Sequence, residues 1–147
     1  MSIEAIMSKK VVVTTADASL ASLRTVFTEA HFQHVPVVDS MQRVIGIVSV
    51  KDFYKAISPV ADSASEHTAQ LFENGRKVRS IMTSPVVCIS PDSAVIAAAA
   101  LLVERNISCL LVTNPQQKLL GIVSWKDIMR LIVQRQQLKR RQQEEEE

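Results

Sequence analysis

Gly46-Ile47-Val48-Ser49-Val50-Lys51-Asp52 and Gly121-Ile122-Val123-Ser124-Trp125-Lys126-Asp127 differ at one position, where Trp125 stands for Val50. The shift of 75 that superposes them also carries residues 6–57 onto residues 81–132 without a gap. Identities beyond the two quoted stretches include Ile6/Ile81, Met7/Met82, Val11/Val86, Val12/Val87, Asp17/Asp92, Glu29/Glu104, Val37/Val112 and Ile57/Ile132. The chain therefore contains one unit twice. Its best-kept segment is a β-branched run that turns into a helix, so the unit is built around a strand-to-helix junction.

Outward from that junction each repeat reads as strand, helix, strand, strand, helix. In the first, Val11-Val12-Val13 predicts a strand, and Thr15 stands where it would cap a helix carrying Leu20, Leu23, Val26, Phe27 and Ala30 on one face. His34 to Val38 and Val44 to Val48 flank the polar turn Asp39-Ser-Met-Gln-Arg43, the pattern of a hairpin. In the second, Ser90-Pro91 reads as an N-cap with proline in the first helical position, and Asn114-Pro-Gln-Gln-Lys118 as the hairpin turn. The helix between them, Ala94 to Val103, is apolar nearly all round and calls for burial on more than one side. Pro59 is expected to stop the helix before it, Gly75 to close a connector helix, and Pro36 to mark an edge strand. The expected organisation is a first repeat over 1–60, a connector helix over 61–80, a second repeat over 81–133 and a charged tail over 134–147.

Composition narrows the function classes. Of 147 residues, 47% are hydrophobic and 22% charged, with a net charge of +2, which is ordinary for a globular protein and gives no reason to expect nucleic acid. No stretch reaches the ~20 apolar residues of a membrane span and the N-terminus lacks a secretory pattern, so a cytoplasmic protein is expected. Cys88 and Cys109 lie in apolar runs of one repeat only and read as small buried hydrophobes. His31 and His34 straddle a helix-to-strand change without a third ligand nearby, so no metal site is read there. No nucleophile with an adjacent base and no Gly-rich phosphate loop occurs, and catalysis is not expected.

The junction carries the chemistry that remains. Serine at a helix start offers a hydroxyl beside unpaired backbone N–H groups, which attract phosphate. The aspartate three residues on, Asp52 or Asp127, can accept bonds from the two hydroxyls of a ribose. The same Ser-x-x-Asp spacing makes a capping box worth about 1 kcal/mol and nothing else. Retention of Lys51/Lys126 and of Gly-Ile-Val, while neighbouring core positions have drifted, favours a site.

Ile6-Met7 and Ile81-Met82, His34-Val-Pro-Val-Val-Asp39 and the two Gly-Ile-Val-Ser-x-Lys-Asp endings together resemble the cystathionine β-synthase (CBS) domain in its tandem arrangement, the Bateman module, over residues 3–133. The resemblance implies a mixed α/β (α+β) fold of two β-α-β-β-α repeats packed with pseudo-two-fold symmetry, and modules that often pair as homodimers. It implies a regulatory ligand, AMP, ADP or ATP, and no cofactor. One cleft would use Ser49 and Asp52 with His34 for phosphate and ribose, and an adenine pocket around Ser90, Cys109 and Leu110. The other would use Ser124 and Asp127, with Thr15, Val35 and Pro36 about the adenine. The pattern departs from the family at Cys109, which stands where the first repeat has His34, so the Ser49–Asp52 cleft is expected to hold a charged phosphate better. The expected function is a stand-alone adenine-nucleotide sensor acting on an unidentified protein target. An S-adenosylmethionine-type sensor and a ligand-free dimeric scaffold are the alternatives.

Overall fold

The computed structural model describes residues 1–61 and 65–147. The elements run β1 (Thr14–Thr15), α1 (Ala21–Thr28), β2 (His34–Val38), β3 (Val44–Ser49), α2 (Val50–Ala61), α3 (Glu66–Gly75), β4 (Cys88–Ile89), α4 (Val95–Arg105), β5 (Cys109–Thr113), β6 (Leu119–Ser124) and α5 (Trp125–Glu146). Each repeat is thus β-α-β-β-α, with a three-stranded sheet ordered β1-β2-β3 or β4-β5-β6. The first strand lies parallel and the third antiparallel to the second. Equivalent residues hold left-handed backbone in the two copies: His31 and Asn106 after the first helix, Gln42 and Gln117 in the hairpin turns. In those turns Asp39 Oδ1 accepts from the N–H groups of Met41 and Arg43, and Asn114 Oδ1 from those of Gln116 and Lys118, all at 2.9–3.0 Å.

The compact units in space are not the linear repeats. One consists of Val11–Val86, the other of Met1–Lys10 together with Val87–Glu147. The residues that open each sequence repeat therefore pack in the unit of the other. In the Val11–Val86 unit the main chain of Thr83 pairs with Ile47 through two bonds (3.1 and 2.8 Å), and Met82 lies against Gly46. In the second unit Ser8 pairs with Ile122 (2.8 and 2.9 Å) and Met7 lies against Gly121. A Cβ on Gly121 would stand 2.7 Å from the Ser8 carbonyl oxygen, which is why a side chain is excluded there. The repeated Ile-Met and the repeated glycine are two halves of one packing contact.

Several expectations from sequence need correction. The first strand is Thr14–Thr15 rather than Val11–Val13, and Pro36 sits in the central strand β2 rather than at an edge. The second fact bears on one residue of the first, since β4 begins one position earlier in its repeat, at Cys88, the counterpart of Val13. Leu111, the counterpart of Pro36, donates its N–H to the Val87 carbonyl at 3.3 Å, and proline has no N–H with which to extend the ladder that way. Thr15 and Ser90 cap no helix: α1 and α4 begin later, with Leu20 and Ala94 at their N-caps. Between strand and helix, the carbonyls of Ala16 and Ala18 accept from Arg79 and Val78, and those of Pro91 and Ser93 from Glu4 and Ile3. Backbone committed to these tertiary bonds cannot enter the helix. Pro59 does not stop α2, which runs on to Ala61, and Gly75 is the last residue of α3 without a left-handed turn. The connector helix is α3, capped by Ser65, whose Oγ accepts from Thr68 N–H at 3.3 Å. Part of the expected 61–80 helix, residues 62–64, lies outside the described residues. The tail continues α5 through Glu146.

Each unit has its own core. Leu20, Leu23, Phe27, Val35, Val48, Phe53 and Val78 fill the first; Ile3, Ala98, Leu102, Leu110, Val123 and Ile128 fill the second. Helix α3 is fixed to α1 by the buried Glu73, which accepts from Arg24 Nε at 3.1 Å and pairs with its Nη2 as well. Among the described residues no helix is long and apolar enough to cross a membrane.

Candidate ligand site

The hairpin β2–β3 sets His34 directly opposite Ser49, and β5–β6 sets Cys109 opposite Ser124. Each serine ends its strand and starts the following helix. At the first junction Ser49 Oγ accepts from Asp52 N–H at 3.1 Å, while Asp52 Oδ2 accepts from Ser49 N–H at 3.3 Å. At the second, Ser124 Oγ accepts from Asp127 N–H at 3.3 Å and Asp127 Oδ2 accepts from Ser124 N–H at 2.8 Å and from its Oγ at 3.1 Å. Both junctions are capping boxes, so the capping role of these residues is real. It leaves the carboxylates able to accept further bonds, since an ionised carboxylate offers about four lone-pair positions.

The flanking groups differ. Burial pushes the pKa of the half-buried His34 below its ordinary value, and the Asp52 carboxylate opposes that shift. The first junction thus sets an imidazole, whose neutral form burial favours, beside a carboxylate that favours its charged form. In the second unit Cys109 takes that place, its thiol pushed up to about 12 by burial, so it brings no charge. Arg130, one helical turn beyond Asp127, donates from Nη1 to Asp127 Oδ1 at 3.2 Å. No reading of the sequence singled this residue out. Its counterpart is Lys55, and the only signal is that an arginine stands three residues after the aspartate.

Within each unit the remaining predicted residues divide. Thr15 lies beside Val38, four residues along β2 from His34 and so about 13 Å from the Ser49 end at ~3.3 Å per residue. Ser90 follows β4 beyond Ile89, which pairs with Val112, and its Oγ donates to Asp92 Oδ1 at 2.7 Å. The side chains of Val35 and Leu110 belong to the cores, and Pro36 is buried too, so Val35 and Leu110 offer a ligand only main-chain atoms. Cys88 is exposed, contrary to expectation, while Cys109 is buried. Trp125, in the variable slot, is half exposed, with the Lys126 ammonium 5.9 Å from its ring centroid.

Two β-α-β-β-α units, each ending its hairpin in a Ser-x-x-Asp capped helix, define a tandem two-domain module. Residues 3–59 and 78–134 each match the CBS domain, and the chain belongs to that family as a protein with a pair of CBS domains. Among curated relatives it is 30% identical over 131 residues to a homoserine O-acetyltransferase of Methanococcoides burtonii, covering 89% of this chain and 24% of that protein. The chain thus spans about a quarter of that relative's length. Among solved structures it resembles the CBS domain pair of protein MJ0100 in complex with 5-methylthioadenosine and S-adenosyl-L-methionine, with a TM-score of 0.76 and 24% identity. That likeness covers 92% of this chain and 98% of the other. It also resembles CBSX2 in complex with AMP (TM-score 0.76, 23% identity, covering 92% and 98%).

Proposed function

We propose that the CBS pair is a regulatory module that binds an adenine nucleotide, AMP, ADP or ATP, and conveys its occupancy to a protein target. The observation that carries the reading is the first junction. There an incompletely bonded carboxylate, a hydroxyl at a helix N-terminus and an imidazole lie at one end of one hairpin. Asp52 would accept from the ribose hydroxyls, and Ser49 with His34 would hold phosphate. That CBSX2 binds AMP supports the choice of ligand. Ligand shifts the module between states only by its different affinity for them, so the signal lies in whatever conformational or assembly equilibrium AMP biases. A homodimer fits the apolar side chains that the second unit leaves uncovered, Ile96 and Val103 of α4 (77% and 82% exposed) with Met129, Ile132 and Val133 of α5.

A second reading is favoured by Cys109 and by MJ0100. The uncharged end at Ser124–Asp127 suits an adenosyl compound without phosphate, such as S-adenosylmethionine. Isothermal titration separates the two. An AMP-binding module loses its tighter site in Asp52→Ala, keeping only the weaker binding at the second junction, and binds adenosine more weakly than AMP. Equal affinity for AMP and adenosine, with S-adenosylmethionine tighter than both, transfers the assignment to the second reading. Absence of binding by all three contradicts both.

A further inference from the structure

The two aspartates are not equally available. Asp127 has three of its roughly four acceptor positions in use: two on Oδ2, from the N–H and Oγ of Ser124, and one on Oδ1, from Arg130. Asp52 has one in use, from Ser49 N–H, and takes part in none of the ion pairs of the described residues. A ribose diol donates two hydrogen bonds. Asp52 can accept both without losing a partner, whereas Asp127 has one position left and must release a donor. The donor to give way is the one held least firmly. Ser124 is tied to Asp127 in both directions by the capping box, while the side chain of Arg130 is 64% exposed against 17% for Asp127.

From this we infer that Arg130 is a latch on the second junction, a specificity residue that competes with ligand for Asp127 and makes the two CBS repeats unequal in affinity. The inference rests on the ribose-binding role proposed for the aspartates and adds the residue that grades it. Of the two bonds that Asp127 holds and Asp52 does not, the one from Arg130 traces to a difference in sequence between the repeats, Lys55 against Arg130. Lysine presents a single mobile ammonium, and arginine a planar fork matched to a carboxylate. Freeing Asp127 recovers only what an exposed ion pair is worth, about 0.2–1 kcal/mol, or roughly 1.4- to 5-fold in dissociation constant.

The test is titration with AMP in an Asp52→Ala background, which isolates the second junction. Adding Arg130→Ala is expected to tighten the residual AMP binding by about 1.4- to 5-fold. Lys55→Arg in the otherwise unaltered protein is expected to weaken the first site by a similar factor, and Lys55→Ala to leave it unchanged. Unchanged affinity on adding Arg130→Ala overturns the inference, and so does weaker binding, which would make Arg130 a phosphate ligand instead of a competitor. Loss of all AMP binding in Asp52→Ala that Arg130→Ala does not restore also overturns it. Failure of the underlying reading looks different: the unaltered protein then binds no AMP, or the Asp52→Ala/Asp127→Ala double variant binds as well as the unaltered protein.

Discussion

Gly121→Ala probes the contact that makes each unit borrow the start of the other's repeat. Neither Gly121 nor Gly46 has positive φ, so alanine is allowed by the backbone and only space decides the outcome. At Gly121 the new Cβ meets the Ser8 carbonyl oxygen at 2.7 Å, at least 0.7 Å short of the 3.4 Å at which ordinary contact begins (3.4 − 2.7). Ser8 cannot yield cheaply, because its N–H and C=O both bond Ile122. Overpacking a filled site costs about 1–3 kcal/mol, and each backbone bond stretched on the way adds about 0.5–1.5 kcal/mol. Less chain entropy lost on folding returns about 0.4–1 kcal/mol. The net expectation for Gly121→Ala is a loss of about 1–5 kcal/mol, centred near 3. At Gly46 the nearest atom is Met82 Sδ at 2.8 Å, the movable end of a flexible side chain, and the nearest backbone oxygen is farther, at 3.2 Å. Gly46→Ala should cost about 1 kcal/mol or less on the same scale. Urea unfolding followed by circular dichroism reads the difference as a midpoint shift at unchanged m-value. Equal losses, or a neutral Gly121→Ala, would refute the idea that the Ser8 segment is locked onto β6.

Arg24→Met should destabilise by about 1–3 kcal/mol, because it leaves the buried Glu73 carboxylate without its partner, while the Arg24→Met/Glu73→Met double variant should recover much of that loss in thermal unfolding. His34 titrates below its ordinary 6.5 in the folded chain, so the unfolded chain binds the extra proton first. Stability should therefore be full above pH 6.5 and fall as the pH drops from there toward the folded value, and His34→Asn should remove that part of the slope in a pH series of unfolding midpoints. Ile96→Glu/Val103→Glu places charge on the uncovered face of α4, and sedimentation should show the proposed homodimer converted to monomer with the fold intact.

The architecture was legible because the chain states it twice. Identity across the repeats fixed the β-α-β-β-α order, and both hairpin turns are held by the Asp39 and Asn114 side chains whose residue types announced them. Helix starts were not legible. Thr15 and Ser90 have the chemistry of caps, but the carbonyls just after them are taken by residues about 60 to 90 positions away, and no local pattern reveals such a bond. For the same reason nothing local to Ile6-Met7 or Ile81-Met82 says that each packs in the unit of the other repeat. The glycine in each ending marks a close approach whose other side, the chain's own Met7 or Met82, no local pattern reveals. At the candidate site, spacing was enough to pair Ser49 with Asp52 and Ser124 with Asp127. The strand register that sets His34 against Ser49, and the side-chain direction that lays Arg130 on Asp127, required coordinates.

Thermal unfolding of the unaltered protein and of Asp52→Ala, with AMP, ADP, ATP, adenosine and S-adenosylmethionine each well above its dissociation constant, tests the central claim most directly. At ~100 times that constant a ligand stabilises by about 2.7 kcal/mol, and each kcal/mol moves the midpoint by about 2–4 °C at this size. The account predicts a rise of about 5–11 °C with an adenine nucleotide, reduced in Asp52→Ala, which leaves only the weaker second junction. An unmoved midpoint with every compound, or a rise that survives Asp52→Ala undiminished, would contradict it.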